Sequence, residues 1–252
     1  MARNFAQMRR NGWWSAGVFI LVIAILFSGD AWIAHHRQVA LLNADADRTP
    51  ADPYLSAFAQ KVATPIFHAR CAGCHGDDLH GDRSKGVPDL AAGHWLYGFG
   101  EVSEIERTIA YGIRSGRPKN WNLASMPAFG TPTPYDKYRI EPLKPDEIRD
   151  LAEYVVSLTG PADQAAAARG HTLYMGKGLC FDCHSDDARG DPAVGAPSLA
   201  GKSWLYGNGT RDDIFRSIAH GHAGICPGWN GPPDATAVRA LAVYIYLRSH
   251  KA

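Results

Sequence analysis

Apolar residues along this chain fall into two kinds of run. From Trp13 to Ala34 they are nearly continuous, broken only at Ser28-Gly29-Asp30. A bilayer span needs about 20 mostly apolar residues, so the pattern predicts one membrane helix, with Trp13, Trp14 and Trp32 as interfacial anchors. Arg3, Arg9 and Arg10 precede it, which places the N-terminus in the cytoplasm and the rest of the chain in the periplasm. A cleaved signal peptide has the same basic-then-apolar layout, but no clear small-x-small cleavage site is present. Elsewhere the spacing is amphipathic. Ile148, Leu151, Tyr154, Val155 and Leu158 recur at the helical period, as do Val238, Leu241, Tyr244 and Ile245. Further helices are predicted over about 55–70 and 164–176, and no region reads as strand-rich. The fold class is all-α: an anchor over 1–37, a tether over 38–56, and two domains over 57–160 and 161–252. Gly160-Pro161 marks the boundary between them.

The two domains are copies. Cys71-Ala-Gly-Cys74-His75 matches Cys180-Phe-Asp-Cys183-His184, 109 residues later. The same offset relates Gly86-x-Pro88-x-Leu90 to Gly195-x-Pro197-x-Leu199, Trp95-Leu96-Tyr97-Gly98 to Trp204-Leu205-Tyr206-Gly207, and Ile105-x-Arg107 to Ile214-x-Arg216. Two copies imply two homologous domains, since a solenoid needs three or more repeats. Past Gly112 the copies diverge, and the first carries an insertion, Ser115 to Ala124.

Lys+Arg 26 against Asp+Glu 25 gives a nearly neutral chain, which excludes the cationic footprint of a nucleic-acid binder. Four of the five cysteines lie in the two Cys-x-x-Cys-His runs, so this is not a disulfide scaffold. Covalent haem c needs that pattern: two thiols for the two vinyl groups and a histidine directly after for the iron. A zinc site would want four closely placed ligands, and a redox dithiol would not need the His. Two haems c are therefore expected, on Cys71, Cys74 and His75 and on Cys180, Cys183 and His184. Pro88 and Pro197 offer carbonyls to the other ring nitrogen of each His. Trp95, Tyr97, Trp204 and Tyr206 are candidates for covering haem edges or donating to propionates, and Arg107 and Arg216 for pairing them.

A sixth ligand is usually Met, which raises the potential. Met126, in Ser125-Met126-Pro127, is the candidate in the first domain, for the haem of His75. In the second domain Cys226-Pro227 stands at that place. Cys226 as thiolate is the sharp reading, with His220 or His222 as the alternatives.

Cys-x-x-Cys-His, Gly-x-Pro-x-Leu, Trp-Leu-Tyr-Gly and Met-Pro-Ala-Phe in this order resemble the dihaem cytochrome c subunit III of cbb3-type cytochrome c oxidases. The resemblance spans about 10–250 and implies two class I cytochrome c domains in a bacterial inner membrane. It implies electron transfer from a cytochrome c donor toward the oxidase's monohaem and catalytic subunits. That family has Met at both sixth positions, and Cys226 departs from it. A dihaem subunit of a periplasmic dehydrogenase, or a thiosulfate-oxidising type of enzyme with a Cys-ligated haem, are the alternatives.

Overall fold

The computed structural model describes residues 29, 31–135, 138–229 and 234–250. Most of the Trp13–Ala34 run lies outside them. Among the described residues, no helix is long and apolar enough to cross a membrane. Met1–Asp45 and Ala46–Ala252 separate as two compact units. In the first, residues 31–43 are helical, and the rings of Trp32 and His36 lie 4.1 Å apart.

The second unit is mostly helical. Its helices are α1 (Pro53–Arg70), α2 (Ala72–His75), α3 (Val102–Tyr111), α4 (Pro145–Ser157), α5 (Gln164–Met175), α6 (Phe181–His184), α7 (Arg211–His220) and α8 (Ala235–Ser249). Four short strands join them: β1 (Gly112–Ile113), β2 (Thr133–Tyr135), β3 (Tyr138–Ile140) and β4 (Cys226–Pro227). Asp52, Asp163 and Asp234 each take two backbone N–H groups at the starts of α1, α5 and α8, the donors a helix leaves orphaned there. The stretch read as a tether is more structured than expected. It holds a 3-10 turn over Thr49–Ala51, and the Asp47 carboxylate accepts from the N–H and hydroxyl of Ser103.

The packing does not follow the order of the repeats. By sequence, α1, α3 and α4 belong to the first copy and α5, α7 and α8 to the second. In space, α8 packs on α1 and α3, while α4 packs on α5 and α7. Each copy thus lends its last helix to the other, an exchange of equivalent elements within one chain. The α4–α5 hairpin explains it. Only residues 158–163 separate the two helices, and so short a connection makes antiparallel neighbours. Gly170 sits in the middle of α5 because the α4 backbone is so near: a Cβ there would fall 2.0 Å from the Asp150 carbonyl oxygen. Arg169 binds both Asp150 carboxylate oxygens across the same junction.

One core cluster is built entirely from residues 126–219. Phe129, Leu143, Ile148, Leu151, Tyr154, Val155, Tyr174, Ile214 and Ile218 are its larger buried side chains. They include four of the five apolar positions read from the α4 periodicity. α8 is buried along nearly its whole length, Thr236 to Ile245, because two helices cover it.

The copies meet about a pseudo-twofold axis. Gly98 N–H donates to the Pro192 carbonyl and Gly207 N–H to the Arg83 carbonyl. A Cβ on Gly195 would fall 2.1 Å from the Tyr97 ring, and one on Gly86 would fall 2.0 Å from the Tyr206 ring. Each pair repeats at the offset of 109 residues, so residue i meets j and j meets i, as in an isologous dimer.

Candidate haem-binding site

Each Cys-x-x-Cys-His run forms a single helical turn, α2 directly after α1 and α6 after a turn that follows α5. One turn brings residues three and four apart to a common face, so both thiols and the His serve one side. All five cysteines are free. Burial pushes the Cys180 thiol up to about 12 and also raises Cys71 and Cys183. Such thiols are inert as nucleophiles until a partner claims them.

His184 and His75 are largely buried, and burial lowers both below the ordinary imidazole range. Each is therefore neutral at pH 7, the form that binds iron. His184 Nδ1 donates to the Pro197 carbonyl at 2.9 Å, which leaves Nε2 as the acceptor. His75 Nδ1 is buried and makes no such bond, although the Pro88 carbonyl is near enough to oppose part of the burial effect.

Both motifs open on one continuous cavity of about 470 Å³. Cys74, His75 and Pro88 line it from the first copy, Cys180, Cys183, His184 and Pro197 from the second, and Met126 and Cys226 from the exchanged segments. That volume is in the range of cofactor sites, roughly 300–1,000 Å³. Free thiols, neutral imidazoles and a mostly apolar wall fit a haem at each motif.

The packing runs across the expected pairing of Met126 with His75 and of Cys226 with the second motif. Met126 lies in the core cluster with Cys180, Phe181 and Trp204, on the side of His184 rather than His75. Burial raises the Cys226 thiol, and its neighbours Cys71 and Cys74 raise it further. The strand pairings are equally crossed. β1, which follows α3, pairs with β4, Ile113 opposite Cys226. Met126 instead exchanges both backbone hydrogen bonds with His222, which follows α7. Gly112 and Gly221 occupy matching positions in the repeat, both at positive φ. A Cβ on the first would fall 2.3 Å from the Cys226 carbonyl oxygen, and one on the second 2.4 Å from that of Met126.

The other candidates divide. Tyr97, Trp204 and Tyr206 line the cavity, whereas Trp95 is half-buried over Gly100 and does not. Arg107 is exposed, lies 3.6 Å over the Trp121 ring and donates to the Lys119 carbonyl. Arg216 is exposed and pairs with Asp213. Neither arginine lines the cavity. His220 is exposed, and the His222 ring stacks on Tyr206 at 3.5 Å with Nε2 buried and unpartnered. The insertion 115–124 folds back on its own copy: Trp121 stacks on Tyr97 and donates Nε1–H to the Thr108 hydroxyl.

The family model for cytochrome c matches residues 62–159, and that for cytochrome C oxidase, cbb3-type, subunit III matches residues 165–245. The cbb3-type cytochrome c oxidase subunit FixP of Bradyrhizobium sp. (strain ORS 278) is 38% identical over 212 residues, 83% of this chain and 68% of that protein. The subunit CcoP of Cereibacter sphaeroides is 31% identical over 207 residues, 82% and 67% of the two chains. That of Rhodobacter capsulatus is 34% identical over 215 residues, 82% and 68%. Two cytochrome c repeats on one shared cavity, with relatives that match along most of their length, place the chain in the family of cbb3-type cytochrome c oxidase subunit III, FixP/CcoP.

Proposed function

We propose that this chain carries electrons into a cbb3-type haem–copper oxidase as its dihaem subunit, anchored in the inner membrane by residues 13–34. Its N-terminus is cytoplasmic and its haem domains face the periplasm. A cytochrome c is its donor, and the monohaem and catalytic subunits of the oxidase are its partners. The reading rests above all on one observation: two covalent haem motifs open on a single cavity about a pseudo-twofold axis. The relatives' names favour an oxidase over a dehydrogenase partner. Sulfur chemistry at Cys226 has less support, because among the described residues Lys85 and Arg114 are the only lysine or arginine side chains on the cavity wall, and Lys85 is paired with Asp82.

When bound, the haems supply one-electron chemistry; the chain supplies ligands, orientation and potential. His75 and His184 are the proximal ligands. The crossed packing supports Met126 as the partner of His184 and Cys226 as the partner of His75. A thiolate donates more electron density than a thioether, so the first site is the lower in potential and the second the higher. Electrons then run downhill from the Cys71–His75 site to the Cys180–His184 site.

Purification of the chain from native membranes in mild detergent, with assays for copper and haem b, tests the assignment. Both should co-purify with oxygen-reducing activity. Recovery without either metal centre would rule out the oxidase partnership.

A further inference from the structure

Arg114 lines the shared cavity and breaks its twofold symmetry. The matching position in the second copy is Ala223. Arg114 follows β1 at φ 48°, in the left-handed region. Its Nε donates to the Gly224 carbonyl at 2.6 Å, and its Nη1 to the Tyr97 hydroxyl at 2.8 Å and the Ala124 carbonyl at 3.0 Å. These bonds bring together both copies and the insertion. Nη2 makes none of them. A Cβ on Gly224 would be 3.0 Å from the Tyr206 hydroxyl and 3.9 Å from Nη2, so both lie beside Gly224.

All the partners of that guanidinium are neutral. Among the described residues no carboxylate forms an ion pair with Arg114, whereas Lys85, the other cation on the cavity wall, is 2.8 Å from Asp82. A half-buried, always-charged guanidinium with a free N–H arm calls for an anion. The cavity is built for haem, and the anionic groups of haem are its two propionate carboxylates. We propose that Arg114 anchors a haem propionate at the centre of the cavity and, through its positive charge, holds up the potential of the haem it touches. The inference rests on the haem reading above and replaces Arg107 and Arg216 in the role that the repeat suggested for them.

The test is a potentiometric titration of the full-length, haem-loaded protein, with the two haems followed by their separate spectra. Arg114→Gln keeps amide donors for the carbonyls and removes the charge. It should shift the reduction equilibrium of one haem about tenfold toward the oxidised form, 59 mV for a one-electron couple, and leave the other nearly unmoved. Which haem moves identifies the propionate. Arg114→Lys keeps the charge and should leave both potentials near wild type. Unchanged potentials in Arg114→Gln would make Arg114 a strut between carbonyls and overturn the proposal. If Arg114→Gln does not fold, Arg114→Lys decides: folding with wild-type potentials supports an anion anchor, and failure of both variants marks a strut. Counting haems in the same samples separates the two readings, because two haems per chain uphold electron transfer whatever Arg114 does.

Discussion

In the crossed pairing proposed above, Met126 and Cys226 are sulfur ligands of opposite electronic effect, each serving the motif of the other copy. Met126→Ala should therefore lower the potential of the haem held by Cys180 and Cys183 and remove the far-red sulfur-to-iron absorption band. The haem held by Cys71 and Cys74 should keep its spectrum. Cys226→Met should do the reverse, raising the potential of the first haem and adding a second thioether signature. Spectra of variants that lack His75 or His184 assign each change to its site. A Met126→Ala effect on the His75 haem would sink the crossed arrangement. The two Cys-x-x-Cys-His motifs were legible in the sequence, since two thiols and a His at fixed spacing have few other uses. Which copy's sulfur side chain lies beside which motif was not. Both copies contain the same run of helices, so the repeat pattern is the same whichever copy receives each last helix. The signal that was there is the six-residue connection over 158–163.

At the scale of elements, α8 is the helix on which the first haem site leans. Asp234 caps it, and Leu241 is fully buried among its neighbours. Removing the cap with Asp234→Ala should cost about 1 kcal/mol, and Leu241→Ala about 2–5 kcal/mol, read from denaturant unfolding of the haem-loaded protein. Because α8 covers α1 and α3, the native ligand spectrum of the haem on Cys71 and Cys74 should be lost before that of the other. Equal loss from both sites would argue against that placement. The helices themselves were readable. α1 begins at Pro53 and α5 ends at Met175, within two residues of the ranges that periodicity predicts. The order over 46–56 was not legible because part of what holds it is non-local: Asp47 is held by Ser103, 56 residues away in sequence. Local patterning carries no trace of such a bond.

For the molecule as a whole, the exchange of last helices changes which piece of chain is a domain. Residues 161–252, the second copy by sequence, contain α5, α6 and α7 but not α4, the helix that covers them. Residues 125–222 contain α4 through α7, Met126, His184 and every member of the core cluster. That contiguous stretch has the elements of one cytochrome c domain in permuted order, and about 100 residues suffice for a core of its own. Expressed alone with haem attachment, 125–222 should unfold in one cooperative transition, hold one haem and show the thioether band. The fragment 161–252 should expose the apolar face of α5 and α7 and fail to unfold cooperatively. The first site is different in kind, because its helices α1, α3 and α8 come from the two ends of the unit. It should form only when the middle of the chain has brought them together. If 161–252 folds with a six-coordinate haem and 125–222 does not, the last helices are not exchanged, and the ligand pairing built on that exchange goes with them.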